Sequence, residues 1–296
     1  AKVMKWVDDS IELVACGSSY KDMPTFGIWE ETVLRECYEH IDYLSLHNYY
    51  GNRENNTEDY LASSLDMDVF IKSVTAICDK IKEEKKSDKQ INLSFDEWNV
   101  WFHSNEQDKQ IPKWSVAPHQ LEDIYNLEDA LVVGTLLITL LKNSDRVKIA
   151  CLAQLVNVIA PIMTEENGKV WKQTIFYPYY HALRYGQGTA LDISCECESY
   201  STDRHSNIPY VESIATIDEE GTGLTVFAVN RSLTNSCPLE LTFDKPVKFS
   251  EHIVVTGEDV NDVNSAEEER ISEARIDDGN HLSLPPLSWN VIRFKL

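Results

Sequence analysis

The residue with the clearest chemical potential in this sequence is Glu97, which directly follows Asp96 at the end of the apolar run 91–95. A carboxylate presented at the end of a strand can attack the anomeric carbon of a sugar. Indole rings close to it in sequence, here Trp98 and Trp101, offer flat apolar faces to a sugar ring. We therefore interpret Glu97 as a candidate nucleophile and both tryptophans as candidate sugar contacts. We expect Asp96 to be an acid that serves a neighbouring loop.

Two hydrogen-bonding rings are predicted to support this carboxylate. His47 and Tyr49 come at the end of a second strand-like run, 41–46. A phenol or an imidazole can donate a hydrogen bond to a carboxylate, which keeps the carboxylate ionised and aimed at its target. The alternative is that these rings only form an aromatic cluster where the strand ends.

Two side-chain amides, Gln154 and Asn157, follow a further strand-like run, 147–152. One amide can donate to one sugar hydroxyl and accept from another, so both residues are candidate substrate contacts. The alternative for each of them is a buried amide that is bonded to the backbone.

A retaining glycosidase needs a second carboxyl group, which acts first as the acid and then as the base. No other acidic residue in the sequence has a convincing position for this role. Glu12 lies inside a predicted strand, and Glu106 lies in the polar stretch 104–110, where we expect it to be solvated. The proton donor is therefore the missing part of the predicted site.

The candidate residues need a scaffold that brings strand ends together, and the first part of the chain predicts one. Strand-like runs alternate with helical patterns up to about residue 187, which is typical of parallel strands joined by helical crossovers. In a β/α barrel, the carboxyl ends of such strands form the catalytic face. A closed barrel has eight strands, whereas this sequence shows four. They are the runs 11–16, 41–46, 91–95 and 147–152.

The character of the sequence changes after this point. Helical periodicity ends, and runs such as 224–229, 239–243 and 287–294 predict β-strands. We therefore expect two domains, a β/α domain over residues 1–187 and an all-β sandwich over residues 188–296.

One helix of the first domain has a clear predicted start. Asn126 can cap it, and Glu128 and Asp129 in its first turn suit the positive end of the helix dipole. The apolar run that follows, 130–141, is shorter than the roughly 20 residues that a bilayer requires. This run predicts a buried helix and no membrane span.

Composition narrows the remaining possibilities. The net charge of −22 argues against a nucleic-acid partner, because phosphate binding needs a basic patch. The seven cysteines are an odd number, and Cys195 and Cys197 lack the spacing of a zinc site. We therefore expect free thiols, no metal and a reducing, cytoplasmic location. Residues 1–7 read as the last turns of a helix, so we expect the chain to belong to something longer.

Four stretches of the sequence resemble the α-L-arabinofuranosidases of glycoside hydrolase family 51. The resemblance covers essentially the whole chain and implies an α/β plus all-β fold. This fold would be the second half of a (β/α)8 TIM barrel, strands five to eight, followed by a C-terminal, jelly-roll-like β-sandwich. The stretches are 95–101 (FDEWNVW), 46–52 (LHNYYGN), 151–162 (CLAQLVNVIAPI) and 285–292 (PPLSWNVI).

The resemblance implies a role for each candidate residue. Glu97 matches the nucleophile on strand seven, and His47 and Tyr49 match active-site positions on strand six. Gln154 matches a sugar-binding glutamine on strand eight, and Trp101 matches a residue on the leaving-group side of the pocket.

The acid/base of the family is a glutamate in an Asn-Glu pair after strand four, and we expect it to lie outside this chain. The pair Asn105-Glu106 follows strand seven and is not its counterpart.

The implied activity is a retaining hydrolysis that releases terminal, non-reducing α-L-arabinofuranosyl residues. The expected substrates are arabinan, arabinoxylan and arabino-oligosaccharides, and we expect no cofactor. The full-length enzyme is expected to be a homo-oligomer, such as a hexamer. We expect the chain to be inactive alone. Two alternatives stay open, a related barrel glycosidase that acts on xylosides or glucosides, and a non-catalytic fragment that binds sugar weakly.

Overall fold

The computed structural model describes residues 1–276, 279 and 281–296, which form seven α-helices and sixteen β-strands. The helices are α1 (Lys2–Val7), α2 (Ile28–Cys37), α3 (Thr57–Tyr60), α4 (Ser63–Lys85), α5 (Asn105–Asp108), α6 (Leu127–Lys142) and α7 (Phe176–Tyr185). The strands are β1 (Val14–Ala15), β2 (Tyr43–Tyr50), β3 (Asn92–Val100), β4 (Val147–Leu152), β5 (Ile162–Thr164), β6 (Val170–Lys172), β7 (Thr189–Leu191), β8 (Ser199–Tyr200), β9 (Ile208–Pro209), β10 (Val211–Ile217), β11 (Gly223–Asn230), β12 (Cys237–Pro238), β13 (Lys248–Val255), β14 (Glu273–Ile276), β15 (Ser283–Leu284) and β16 (Ser288–Lys295).

The described chain divides into two compact units. The first unit consists of Ala1–Tyr49, Leu65–Asn99 and Asn143–Ala153. The second unit consists of Tyr50–Ser64, Val100–Lys142 and Gln154–Leu296. The two predicted domains, residues 1–187 and 188–296, stay a prediction. They are inferred from a change in sequence pattern, whereas the two units are defined by compactness.

The first unit contains one sheet with the strand order β1-β2-β3-β4. β1 is parallel to β2, and β3 is parallel to β4. At the starts of β3 and β2, the N–H of Asn92 donates to the carbonyl of Asp42 at 3.1 Å, so these strands begin at the same edge. The predicted set of four neighbouring strands is confirmed, although β1 is shorter than the predicted run 11–16.

Helix α4 covers this sheet with an apolar stripe. Phe70, Val74 and Ile81 are buried, and their spacing of four and seven residues places them on one face of the helix. The ring of Phe70 lies edge-on to Phe95 of β3, with ring centroids 6.1 Å apart. This packing buries the base of β3 directly before its polar end.

The second unit contains a six-stranded sheet with the order β14-β13-β16-β11-β10-β7. All its neighbours are antiparallel. One face of this sheet packs on α6, where Gly134 leaves room for an indole: a Cβ at this position would lie 2.6 Å from the ring of Trp289. The opposite face buries Val226, Ile292 and Phe294.

The layer over this second face is mostly irregular. The strands β12 and β15 form a two-stranded sheet there, and Leu241 and Phe243 pack onto the same core. The predicted strand 239–243 is wrong, because β12 ends at Pro238 and one further backbone bond, from the N–H of Leu239 to the carbonyl of Leu282 at 2.9 Å, does not extend the strand through this run. Its apolar alternation reflects the partial burial of alternate side chains against this core.

The predicted start of α6 is confirmed. The side chain of Asn126 accepts from the N–H of Asp129 at 3.0 Å, and the N–H of Asn126 donates to the carboxylate of Asp129 at 2.9 Å. This reciprocal pair is a capping box. Among the described residues, none of the helices has the length and apolar character needed to cross a bilayer.

Candidate active site

A β-bulge lies at the candidate carboxylates, Asp96-Glu97. Phe95 of β3 pairs with Ala150 of β4. Trp98, three residues further along β3, pairs with Leu152, which is only two residues further along β4. The extra residue interrupts the alternation of side chains that a regular strand imposes. Both adjacent acids are therefore partly exposed, whereas the residues on either side of them are buried.

Glu97 is held by a phenol from the neighbouring strand. The hydroxyl of Tyr49 donates to Oε1 of Glu97 at 2.8 Å. Burial of the phenol, the hydrogen bond and the charge of Glu97 all raise the pKa of Tyr49, so this group stays protonated and acts as a donor. The hydrogen bond that the sequence suggested between these side chains is confirmed.

His47 lies between the two acids of the bulge. Its Nε2 is 2.9 Å from Oδ1 of Asp96, and its Nδ1 is 3.5 Å from Oε2 of Glu97. A carboxylate can only accept, so Nε2 carries the hydrogen in the bond to Asp96. The Nδ1 contact is longer than an ordinary hydrogen bond. His47 is thus oriented by Asp96 and directed toward Glu97.

Asp96 has a role that the sequence did not predict. Its carboxylate accepts from His47, and its other oxygen accepts from the hydroxyl of Ser94 at 3.2 Å. The expectation that Asp96 serves a neighbouring loop is wrong, because both partners lie on β2 and β3. Only the pairing of these strands reveals this role.

Trp98 is fully buried in the first unit, with 0% of its surface exposed. An indole without exposed surface offers no face to a sugar ring in this conformation. The predicted sugar contact at Trp98 therefore stays a prediction that this burial does not favour.

The three other predicted contacts belong to the second unit. The N–H of Trp101 donates to the carbonyl of Tyr50 at 2.9 Å. Gln154 is exposed, and its N–H donates to the carbonyl of Ile159 at 3.1 Å. Its side-chain amide stays a predicted sugar contact.

The side chain of Asn157 forms hydrogen bonds within a local turn. Its φ of 63° is left-handed, a conformation that asparagine tolerates better than most residues. Its side-chain oxygen accepts from the N–H of Thr164 at 2.7 Å, and its amide nitrogen donates to the hydroxyl of Thr164 at 3.0 Å. Substrate binding by Asn157 stays a prediction, and its clear function in the structure is to fix this turn.

The arrangement in the first unit can perform nucleophilic chemistry. The Glu97 side chain is 43% exposed, so a substrate can reach it, while Tyr49 fixes one of its oxygens. Among the residues that the structure describes, no group of three or more histidine, cysteine or acidic side chains is placed to hold a metal ion.

The chain is similar to known proteins over its whole length. The family model described as the alpha-L-arabinofuranosidase C-terminal domain matches residues 96–288. The intracellular exo-alpha-(1->5)-L-arabinofuranosidase 1 of Bacillus subtilis (strain 168) is 52% identical in an alignment of 302 positions, which covers 100% of this chain and 60% of that protein. The exo-alpha-(1->6)-L-arabinofuranosidase of Bifidobacterium longum is 39% identical over 99% of this chain and 60% of that protein. The chain thus spans about 60% of the length of these relatives.

Solved structures show the same relationship. The family 51 alpha-L-arabinofuranosidase AbfB from Bifidobacterium longum superimposes with a TM-score of 0.91 and 38% identity, over 100% of this chain and 62% of that protein. The arabinose complex of the alpha-L-arabinofuranosidase from Thermotoga maritima has a TM-score of 0.79 at 24% identity, over 100% of this chain and 60% of that protein, and shares the fold. The predicted fold class, part of a barrel followed by an all-β domain, is confirmed. The chain belongs to the alpha-L-arabinofuranosidases of glycoside hydrolase family 51.

Proposed function

We propose that the complete protein is a retaining exo-α-L-arabinofuranosidase in which Glu97 is the nucleophile. The observation that carries this proposal is the hydrogen bond of 2.8 Å from Tyr49 to Glu97. It joins neighbouring strands at a bulge that leaves the carboxylate accessible. A partly exposed carboxylate with one oxygen fixed is well placed to attack a carbon atom with the other oxygen.

The proposed reaction has two displacements. A Glu97 oxygen bonds to the anomeric carbon while the bond to the leaving oxygen breaks, and a second carboxyl group gives its proton to that oxygen. A water molecule then attacks the same carbon, loses a proton to the second carboxylate and releases Glu97, so the configuration is retained. We propose that the second carboxyl group comes from a part of the protein outside this chain and lies about 5–5.5 Å from Glu97.

The other candidate residues take supporting roles in this proposal. Tyr49 keeps Glu97 oriented, and His47 is held by Asp96 so that its ring faces the same carboxylate. Trp101 and Gln154 are assigned to substrate contacts, Trp101 on the leaving-group side.

The proposed substrates are oligosaccharides and polysaccharides with terminal α-L-arabinofuranosyl groups, with α-(1→5) linkages preferred. Support comes from the names of the relatives: the Bacillus subtilis protein, at 52% identity, is named for (1->5) linkages, and the Bifidobacterium longum protein, at 39%, for (1->6) linkages. The word "intracellular" in the first of these names supports a cytoplasmic location. A homo-oligomer such as a hexamer stays a prediction.

A panel of aryl glycosides and linkage-defined oligosaccharides tests this function. We expect the complete protein to cleave 4-nitrophenyl α-L-arabinofuranoside and α-(1→5)-arabinobiose, with little activity on the β-D-xyloside and β-D-glucoside. Preference for either pyranoside would favour the alternative of a related barrel glycosidase. The chain of 296 residues should show no turnover in the same panel, and measurable turnover abolished by Glu97→Gln would contradict an external proton donor.

A further inference from the structure

Two adjacent carboxylates in the first turn of α6, Glu128 and Asp129, are almost completely buried, at 5% and 0% exposure. Burying a carboxylate is unfavourable unless hydrogen bonds or opposite charges compensate for the lost water. All the partners described below lie in the second unit with them. These partners come from two loops that follow β2 and β3.

Asp129 binds both loops. Its Oδ1 accepts from the hydroxyl of Tyr60 at 2.8 Å, and its Oδ2 lies 2.7 Å from Nε2 of His103. Burial and the charge of Asp129 raise the pKa of Tyr60, so the phenol stays a donor. A hydrogen bond to a charged group is shorter and stronger than a neutral one. One buried carboxylate therefore joins a tyrosine of one loop to a histidine of the other.

Glu128 adds two further bonds to the first of these loops. Its carboxylate accepts from the side-chain amide of Asn52 at 3.1 Å and from the hydroxyl of Thr57 at 2.8 Å. We define the β2 loop as residues 51–62, between β2 and α4, and the β3 loop as residues 101–126, between β3 and α6. The pair Glu128–Asp129 thus binds three side chains of the β2 loop and one of the β3 loop.

The two loops also touch each other at their beginnings. The N–H of Trp101 donates to the carbonyl of Tyr50 at 2.9 Å. A Cβ on Gly51 would lie 2.7 Å from the Cβ of Phe102, so only glycine permits this approach. The start of each loop is therefore fixed against the other.

The residues that follow Trp101 are held by a third buried carboxylate. Oδ2 of Asp123 accepts from the backbone N–H groups of Phe102 and His103 at 2.9 and 3.1 Å. Oδ1 of Asp123 accepts from the N–H of Ser104 at 2.8 Å. Trp101 is consequently anchored on both sides, by Tyr50 before it and by this turn after it.

We propose that His103, Glu128 and Asp129 are positioning residues that hold the β2 and β3 loops together and so fix Trp101 for the leaving group. This inference rests on the proposed function, in which Trp101 contacts the part of the substrate that departs. The three residues act through Trp101 and need no contact with the sugar. Their contribution should therefore depend on the presence of the indole.

A double-mutant cycle in the complete protein tests this dependence. kcat/KM for α-(1→5)-arabinobiose is measured for the wild type, Asp129→Asn, Trp101→Ala and the double variant. We expect Asp129→Asn to lower kcat/KM by about 10- to 100-fold, mainly through KM, in the wild-type background. In the Trp101→Ala background the same change should cost less than about threefold.

Two variants separate positioning from loss of stability. His103→Gln retains an N–H group that can reach Asp129, and it should keep more activity than His103→Leu. His181→Gln is the matched control, because His181 of α7 is a buried histidine whose hydrogen-bond partners, Glu273 of β14 and Trp289 of β16, belong to neither loop. This control should keep its kcat/KM. If Asp129→Asn does not fold, Thr57→Val, which removes one bond to Glu128, takes its place in the cycle.

Hydrogen exchange supplies a readout that needs no activity. We expect Asp129→Asn to raise exchange in the β2 and β3 loops together, and His181→Gln to leave both unchanged. Equal losses of kcat/KM in both backgrounds of the cycle, or increased exchange confined to one loop, would overturn the proposal. A wild-type protein without arabinofuranosidase activity would instead refute the proposed function, and exchange would still decide whether the loops are coupled.

Discussion

The hydroxyl of Tyr49 and Oε1 of Glu97 are 2.8 Å apart and join strands β2 and β3 at the bulge. A bulge frees a side chain from the strand face but also leaves it with fewer packing neighbours to hold it. The hydrogen bond compensates for this loss, because it fixes one oxygen of the carboxylate. The other oxygen stays available, and its contact to His47 is longer, at 3.5 Å.

Replacing Tyr49 by phenylalanine should lower activity without unfolding the protein. A hydrogen bond to a charged group contributes about 1.5–3 kcal/mol, and about 1.4 kcal/mol corresponds to a factor of ten in rate. We therefore expect kcat/KM for an aryl arabinofuranoside to fall about 10- to 100-fold, measured in the complete protein. Tyr43→Phe is the control, because Tyr43 lies on β2 like Tyr49 and its hydroxyl also donates to a glutamate, Glu12, at 2.8 Å. Equal losses in both variants would contradict a specific role of Tyr49.

The buried His181 should make stability depend on pH. Its Nδ1 accepts from Nε1 of Trp289 at 3.0 Å, and burial, only partly opposed by Glu273, lowers its pKa below the ordinary 6.5. Just below pH 6.5, His181 binds a proton in the unfolded chain but stays neutral in the native state. The free energy of unfolding therefore falls as the pH drops from 6.5 toward the lower native pKa.

Urea unfolding of the wild type and of His181→Gln between pH 7 and pH 5 measures this effect. The variant should have a lower free energy of unfolding than the wild type at neutral pH. As the pH drops, this free energy should fall less steeply in the variant, and the two slopes should differ by up to about 1.4 kcal/mol per pH unit. His119→Gln serves as the control, since the His119 side chain is 84% exposed beside Glu122. An unchanged slope in His181→Gln would show that the native imidazole binds its proton over the same pH range as the unfolded one, which would contradict a lowered pKa.

Arg231 should be a stability determinant of the second unit. The residue is 1% exposed, and its guanidinium donates to the carbonyl of Leu61 at 2.9 Å and to Glu212 at 3.0 Å. Removing one partner of a buried ion pair costs about 3–5 kcal/mol, so Arg231→Met should lower the free energy of unfolding by this amount. Arg204→Met, at a pair with Asp59 in which the arginine side chain is 55% exposed, should cost less than about 1 kcal/mol. Similar losses of the free energy of unfolding in both variants would contradict this prediction.

Gly134 in α6 should resist a substitution that normally stabilises helices. Alanine in place of glycine contributes about 1 kcal/mol in an open helix. Here its Cβ would lie 2.6 Å from the ring of Trp289 and 3.2 Å from Cγ2 of Val229. Overpacking costs about 1–3 kcal/mol, so we expect Gly134→Ala to lower the melting temperature. A higher melting temperature would mean that the sheet can shift away from α6.

Some parts of the site could be predicted from the sequence because their signals are local. The runs 41–46 and 91–95 mark β2 and β3, since short, largely apolar runs that alternate with helical patterns are typical of parallel strands. The start of α6 at Asn126 follows from capping chemistry, which involves residues three positions apart. The hydrogen bond from Tyr49 to Glu97 then follows from placing the ends of neighbouring strands together.

Other parts depend on partners that are distant in sequence. The bulge at Asp96-Glu97 arises from the pairing of β3 with β4, and regular alternation would have placed these acids on opposite faces. The bond between Asp96 and His47 depends on this bulge. The run 239–243 has the alternation of a strand, yet it packs on the core outside the strands and is joined to them by the backbone bond from Leu239 to Leu282.

Covalent trapping of the nucleophile tests the central claim most directly. The complete protein is incubated with an activated 2-deoxy-2-fluoro-α-L-arabinofuranosyl glycoside, which forms the glycosyl-enzyme but slows its hydrolysis by water. Intact mass measurement and peptide mapping then locate the adduct. We predict one glycosyl group per chain, attached to the peptide that contains Glu97 and absent in Glu97→Gln. An adduct on any other carboxylate, or turnover with inversion and no adduct, would contradict the assignment of Glu97 as the nucleophile.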